Sequence, residues 1–220
     1  MKNLFYLFKN PKVKMVIILS FLLFIYTTIC AISYAQTISE DISESVFRLH
    51  VIANSDKKED QDLKYIVRDK LLSYMNELCK NTTNKKEAIQ IATENINNFK
   101  QIANETVLEQ GYSYTVNICI GNFEFPTKHY GDISLPAGYY DALKVEIGEA
   151  KGQNWWCVMF PPLCFVDITS GIVSDESKKL MQNNLDEEEF ALVSDNSSEI
   201  KFKFKLLELF TNNGLITAKK

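Results

Sequence analysis

The sequence lacks the short motifs by which many enzyme sites are recognised. It has no glycine-rich loop of the kind that cradles phosphates, no His-Glu-x-x-His zinc helix and no Gly-x-Ser-x-Gly elbow. Pairs of carboxylates are expected anyway in a chain with 28 acidic residues, so they carry no weight. The sequence therefore gives little support to an enzyme. We expect no catalytic residue, cofactor, metal ion or small-molecule substrate.

The sequence also lacks internal repeats, low-complexity tracts and an excess of basic residues. The first two absences argue against a solenoid and a long disordered tail. Four lysines lie within residues 1–35, which contain no acidic residue. Without that segment, 20 basic residues remain against 28 acidic ones, a net charge of −8. This balance argues against a nucleic-acid partner, because phosphates bind to basic surfaces.

A long uncharged segment, Met15 to Ala35, follows the N-terminal lysines. At about 1.5 Å per residue, a helix of this length crosses a bilayer core of roughly 30 Å. Lysines before it keep the N-terminus in the cytoplasm and direct the following chain outward. Ser33-Tyr34-Ala35 fits a signal-peptidase site, but the apolar run is longer than most signal cores. Residues 1–35 are therefore a signal peptide or a retained membrane anchor, and the rest is expected outside the cytoplasm.

The residues after this segment have the pattern of one domain that contains both helices and strands. We expect an α+β fold over residues 36–170, in which a mainly antiparallel sheet packs against two long amphipathic helices. Residues 171–220 are expected to add a helical extension on the same domain. A helix start is indicated there at Ser174, which two acidic residues follow. Ile200–Phe210 fits a strand or a helix, and we favour a helix.

Period-two alternation of apolar residues predicts the strands. Ser45–Ala53 predicts a first strand, and Tyr112–Ile120 predicts a second that ends before Gly121. Phe123–Phe125 begins a further segment, which is expected to pair antiparallel with Tyr140–Ile147 across a loop.

Apolar residues at three- and four-residue steps predict two helices. Asp56 and Asn84 are each followed three residues later by a glutamate, which is the pattern of a capping box. These signals predict amphipathic helices over residues 57–80 and 84–111.

The most unusual segment is Asn154–Phe165, which holds both tryptophans and two adjacent prolines. Six residues separate Cys157 from Cys164, and the proline pair bends the chain between them. The two sulfurs can therefore meet in a disulfide, a bond that persists outside the cytoplasm. The tryptophans fit a core position or a surface anchor for a partner, and the sequence does not choose.

Two other uses of these cysteines are weaker. A nucleophilic thiol needs a base such as His50 or His129 and an orienting third group, which the sequence does not supply. The same four side chains are admissible zinc ligands, but structural zinc sites have closer cysteine spacing.

Four ordered blocks of residues resemble a known family. They are Arg48–Asp56 with Asp60 and Gln61, Phe125–Lys128 with Tyr130 and Gly131, Pro136–Gly138 with Tyr140, and Asn154–Phe165. Over roughly residues 45–170, the chain closely resembles the stage II sporulation protein R family. Ala150 departs from the pattern, since related proteins tend to have glycine there. Residues beyond Ser170 match only loosely.

The resemblance implies a signalling protein of endospore formation. Members of the family are made in the forespore and exported into the space between the two sporulation membranes. There they trigger a membrane-embedded aspartic protease of the mother cell, which processes an inactive sigma factor precursor. The alternative is an enzyme, namely a secreted or membrane-anchored hydrolase that uses a thiol or paired carboxylates.

Two segments are candidates for contact with the protease. The candidate residues are Arg48, His50, Asn54, Asp56, Asn154, Trp155, Trp156 and Phe160. The competing interpretation is that both segments form the folding core. A histidine in a strand, such as His50, is more often a satisfied buried side chain than a catalytic one.

Overall fold

An apolar helix begins the part of the chain that the computed structural model describes, residues 11–164 and 173–194. This helix, α1 (Pro11–Ser45), is long and apolar enough to cross a membrane. Most of its large apolar side chains between Met15 and Ile29 are exposed. An apolar surface of this size is typical of a segment that contacts lipid or another protein. The chain divides into two structural units between Ile38 and Ser39, inside α1.

The last turn of α1 belongs to the second unit. Ile42 is fully buried there. The buried Lys85 donates from Nζ to the carbonyl of Ser43 at 2.8 Å and pairs with Asp141 Oδ2 at 2.8 Å. Because a helix C-terminus carries partial negative charge, the ammonium group stabilises this end of α1.

A four-stranded sheet forms the centre of the second unit. Its strands are β1 (Phe47–Ile52), β2 (Val116–Phe125), β5 (Gly138–Ile147) and β6 (Asn154–Phe160), in the order β2-β5-β1-β6. The β2–β5 and β1–β6 pairs are antiparallel, and the β1–β5 pair is parallel. The predicted α+β class with a mainly antiparallel sheet is therefore confirmed.

β2 differs from the prediction at both ends. Tyr112 and Tyr114 precede the strand and stack on each other with ring centroids 5.3 Å apart. The strand then continues through Gly121 instead of stopping there, with ten successive partners on β5. A Cβ at Gly121 would lie 3.2 Å from the ring of Phe123, so this glycine leaves room for the aromatic side chain. The two predicted segments are thus one strand.

Three helices pack on one face of the sheet: α2 (Lys58–Leu78), α3 (Lys85–Glu94) and α4 (Ile96–Glu109). α2 confirms the first predicted helix, but the second is divided at Asn95. The Asn95 side chain donates to the carbonyl of Ile91 at 2.9 Å and accepts from the Tyr74 hydroxyl at 3.1 Å. These bonds compete with regular helix geometry, which explains the break.

One of the two predicted caps is confirmed. Asn84 Oδ1 accepts from the backbone N–H of Glu87 at 3.0 Å. At α2, by contrast, the N-cap is Lys57, which makes no side-chain cap. Asp56 Oδ1 instead accepts from the backbone N–H of Gln153 at 2.8 Å, so the capping prediction for Asp56 is wrong. A contact distant in sequence has replaced a local one.

A short hairpin and two helices complete the described residues. The hairpin consists of β3 (Lys128–Tyr130) and β4 (Ile133–Leu135), and the helices are α5 (Asp175–Gln182) and α6 (Glu187–Ser194). The predicted start is confirmed at Ser174, whose Oγ accepts from the N–H of Ser177 at 3.3 Å. Lys178 pairs with Asp132 in the hairpin at 2.5 Å. The helix favoured for Ile200–Phe210 lies outside the described residues.

The predicted disulfide joins Cys157 to Cys164, with a Cα–Cα distance of 5.5 Å. The chain between them contains Pro161, which follows a cis peptide bond, and Pro162. Cys157 is buried in the middle of β6, so the bond ties the segment after Phe160 back to this edge strand.

Replacing both disulfide cysteines by alanine is expected to lower the free energy of unfolding by about 2 to 3 kcal/mol, because the closed loop restricts the unfolded chain. Chemical denaturation of the purified chain measures this difference. The exposed Cys119 gives the matched control, and C119S should shift the unfolding free energy by less than about 0.5 kcal/mol. Equal stability of C157A/C164A and the unaltered chain would contradict the assignment.

Candidate partner-binding surface

The two faces of β1 have different surroundings. Successive side chains of a strand point to opposite faces, so Leu49 and Val51 share the face on which the helices pack. Arg48 and His50 point to the other face, where Tyr130 of the β3–β4 hairpin lies against Arg48. We call the rest of this face the open sheet face, because its side chains other than the buried His50 are half-buried or exposed. It consists of His50, Ile52, Asn117, Cys119, Lys144, Glu146, Asn154 and Trp156.

Arg48 is fully buried beneath the hairpin. Its guanidinium carbon lies 4.1 Å from the ring centroid of Phe125 and 4.6 Å from that of Tyr140. Nη2 donates to the Tyr130 hydroxyl at 2.7 Å, while Nε and Nη1 have no hydrogen-bond partner among the described residues. Since the side chain has no exposed surface, Arg48 acts in this conformation as part of the core.

The Tyr130 hydroxyl connects the hairpin to two strands. It accepts from Arg48 on β1 and donates to the carbonyl of Trp156 on β6 at 3.1 Å. Burial raises the pKa of Tyr130, and the nearby charge of Arg48 partly offsets this rise. The phenol therefore remains protonated at neutral pH and keeps its donor for the Trp156 carbonyl.

His50 lies next to this cluster, at the border of the open sheet face. Its ring stacks on Trp156 with centroids 3.7 Å apart, and Nε2 hydrogen-bonds Asn154 Oδ1 at 2.8 Å. Burial lowers the pKa of His50, an effect that the Asn154 bond partly opposes; the charge of Lys144 lowers the pKa further. The neutral imidazole is thus favoured, with its proton on Nε2 facing the Asn154 oxygen.

The open sheet face exposes polar and aromatic groups together. Trp156 is half-buried, Asn154 and Cys119 are exposed, and Lys144 pairs with Glu146 at 2.5 Å across the middle of the face. Aromatic side chains among satisfied polar groups are typical of protein-binding surfaces.

Trp155 points to the helix face, opposite to Trp156. Its ring meets Tyr65 of α2 edge to face, with centroids 5.3 Å apart, and the Arg68 guanidinium lies 4.4 Å from it. Phe160, at the other end of β6, is 2% exposed. The candidate residues of β6 are therefore divided between the two faces of the sheet.

Asn54 is the centre of a polar cluster after β1. Its side chain accepts from the N–H of Glu149 at 2.9 Å and donates to Asp60 Oδ2 at 2.8 Å, while Ser55 Oγ donates to the same oxygen at 2.5 Å. Burial alone would raise the pKa of Asp60, but hydrogen bonds from Ser55, Asn54 and Tyr114 outweigh it and lower the pKa. Asn54 therefore ties the start of α2 to the β5–β6 loop.

The β5–β6 loop fits closely around this cluster. The N–H of Gly152 donates to the carbonyl of Ala53 at 2.9 Å, and a Cβ at Gly152 would collide with the backbone carbonyl of Ser55. Gly148 has a φ of +59°, and a Cβ there would collide with the Asn54 side chain. These contacts give Asn54 a structural role whether or not it also meets a partner.

Sequence reasoning missed the residues that hold Arg48, namely Phe125, Tyr130 and Tyr140. All three lie inside the blocks that carry the family resemblance, which was the available signal. It also missed Lys64, a buried side chain whose Nζ donates to the carbonyl of Gln153 at 3.0 Å. Among residues 11–164 and 173–194, no three His, Cys, Asp or Glu side chains form a group that could hold a metal ion.

An apolar helix long enough to cross a membrane and an α+β domain with a disulfide define a protein of membrane or extracytoplasmic location. The chain belongs to the stage II sporulation protein R family, whose model matches residues 43–170. It is 38% identical over 130 residues to stage II sporulation protein R of Bacillus subtilis (strain 168). That match covers 59% of this chain and 58% of the relative. No solved structure matches the chain. Family membership gives the chain a role in sporulation.

The free energy of unfolding is expected to depend on pH through His50. Because the pKa of the folded state lies below the ordinary value of 6.5, the unfolded chain takes up the proton first as pH falls. The contribution of neutral His50 to the free energy of unfolding should therefore be fully present above pH 6.5. It should decrease as the pH falls from 6.5 to the pKa of the folded state. Denaturation curves between about pH 5 and about pH 8 measure this slope. H50Q should flatten it, and an unchanged slope would contradict the assignment.

Proposed function

We propose that this chain is an exported signalling protein of endospore formation. It passes from the forespore into the intermembrane space and triggers a membrane-embedded aspartic protease to process an inactive sigma factor precursor. The family match over residues 43–170 carries the proposal, because it includes every candidate contact residue. The apolar helix and the disulfide support the location, since both suit a protein that leaves the cytoplasm.

The open sheet face is the proposed contact with the protease. Its half-exposed Trp156 is held in one orientation by the stack on His50, and His50 is held by Asn154. A rigid aromatic side chain loses little conformational freedom on binding, which is why tryptophan is frequent among residues that dominate interfaces. Arg48 supports this contact from below through Tyr130 and the Trp156 carbonyl.

Triggering requires a difference in affinity between two states of the protease. A ligand that binds both states equally changes nothing, whereas a preference of about 1.4 kcal/mol for the active state raises its ratio to the inactive state tenfold. Holding two protease chains together or reorienting them within the membrane would satisfy this requirement. The signalling domain itself needs no chemical step.

The hydrolase alternative loses its two principal nucleophile candidates. Cys157 and Cys164 are joined in the disulfide, and only a free thiolate attacks a substrate. No arrangement of the described residues specifically favours paired carboxylates as a catalytic site. We therefore propose a noncatalytic ligand.

Co-production of this chain, the protease and the sigma factor precursor in a bacterium that does not sporulate is the direct test. We expect precursor cleavage only when all three are present, measured as the shorter product on an immunoblot. Omitting each component in turn is the control. Absence of cleavage with all three well produced would overturn the proposed function.

Trp156→Ala is expected to reduce precursor cleavage at least about tenfold at normal protein abundance, since an interface hot spot contributes about 2 kcal/mol or more. Trp155→Ala is the matched control, because it removes the same side chain from the neighbouring position on the helix face. It should preserve cleavage per folded molecule. Normal cleavage by Trp156→Ala would exclude the open sheet face as the contact.

A further inference from the structure

β2 is a long edge strand that is paired on only one side. It has ten residues at the end of the β2-β5-β1-β6 sheet, and its register with β5 contains no bulge. Within the described ranges, no strand pairs with its outer side. A regular edge of this length is a template on which another strand can add.

The outward-facing backbone groups of β2 can be assigned. The N–H of Gly148 donates to the carbonyl of Thr115 at 2.9 Å, which makes this pair a hydrogen-bonded one. Antiparallel ladders alternate, so the odd-numbered residues of β2 bond to β5 and the even-numbered ones point outward. Ile118, Ile120 and Asn122 therefore direct their N–H and C=O groups outward at the edge, where no described strand pairs with them. The N–H of Val116 is occupied by Asn104 Oδ1 at 3.2 Å.

Among the described residues, this edge has few of the features that usually prevent strand addition. β2 contains no lysine, arginine or proline, and Glu124 is its one charged residue. The opposite edge, β6, has only seven residues and leads into Pro161 and Pro162, which have no N–H to donate. Of the two described edge strands, β2 is therefore the longer one and the one better suited to pairing.

The side chains of β2 are self-complementary about Cys119. If two copies of β2 pair antiparallel around a two-fold axis at this residue, Ile118 of one copy lies opposite Ile120 of the other. All four isoleucines then meet on the helix face. Cys119 lies opposite its own counterpart at a non-hydrogen-bonded position, where Cα atoms are about 4.5 Å apart. This separation allows the two thiols to meet.

Charge is compatible with this pairing. Glu124 is five residues from the proposed axis, about 17 Å along the strand, which exceeds the screening length of about 8 Å at physiological salt. Like charges of the two copies therefore do not oppose each other within the paired segment, although the exported part of the chain carries a net charge of −8.

We propose that β2 is a homodimerisation edge, on which a second copy of this chain pairs antiparallel around Cys119. The partner's strand continues the sheet, so that two four-stranded sheets become one. Backbone hydrogen bonds from Ile118 and Ile120 hold the pair, and the isoleucines seal it on the helix face. This inference stands without the proposed function, because it rests on the edge alone.

Thiol cross-linking in membranes tests the register. The full chain carries C30S and C79S, which leaves Cys119 as the sole thiol outside the disulfide. Diamide takes up the two protons and two electrons released when two thiols form one disulfide. We expect most of the protein to run as a dimer on a non-reducing gel. In the same background N117C/C119S should stay monomeric, because residue 117 lies opposite residue 121, about 14 Å from its counterpart.

Paired variants at Ile120 test the edge without relying on a thiol. I120A removes the side chain but keeps the outward N–H, whereas I120P also removes that donor and leaves the ladder to β5 intact. In detergent, light scattering should show that C119S is a dimer and that I120A still forms a dimer, of equal or lower stability. It should show that I120P is a monomer. All three variants should have the circular dichroism spectrum of the unaltered chain, which shows that they fold. Three results would each overturn the proposal. They are equally efficient cross-linking at residues 117 and 119, an unaltered chain that is monomeric, and a folded I120P variant that is dimeric.

Discussion

The guanidinium of Arg48, buried without a carboxylate partner among the described residues, is the constraint on which the rest of the fold depends. Transfer of a charge from water costs several kcal/mol, and no acidic side chain among the described residues pairs with Arg48. A desolvated cation–π contact contributes about 2 kcal/mol, and a hydrogen bond from a charged group about 1.5 to 3 kcal/mol. No single partner offsets the cost. The rings of Phe125 and Tyr140 and the hydroxyl of Tyr130 must therefore all be in place together.

This requirement couples parts of the chain that are distant in sequence. Phe125 ends β2, Tyr130 belongs to the hairpin, Tyr140 is the third residue of β5 and Arg48 lies on β1. Displacing any of them would leave the buried charge with fewer stabilising contacts, so the four elements depend on one another for stability. Tyr130 extends the unit to β6 through the Trp156 carbonyl. The orientation of the open sheet face is thus a consequence of how the chain accommodates one arginine.

Local patterns were sufficient for some elements. The period-two run of β1, the apolar stripe of α2, the cap at Asn84 and the bond between Cys157 and Cys164 are all encoded within short stretches, and all are confirmed. Other features depend on partners far along the chain. Asp56 matched a cap but is bound to Gln153, and Asn95 broke a helix because Tyr74 lies across from it. The period-two alternation likewise shows that Arg48 and His50 share a face, but not that Tyr130 of the hairpin binds Arg48 while Trp156 stacks on His50.

The adjacency of Trp155 and Trp156 has a consequence for how β6 can change. Trp155 packs against α2, whereas Trp156 lies on the open sheet face. Because the side chains of a strand alternate, a deletion or insertion of one residue in β6 would move each indole to the opposite face. The core would then lose the contact between Trp155 and Tyr65, and the open sheet face would lose Trp156. We therefore expect β6 to tolerate substitutions that keep this spacing better than a deletion or insertion of one residue.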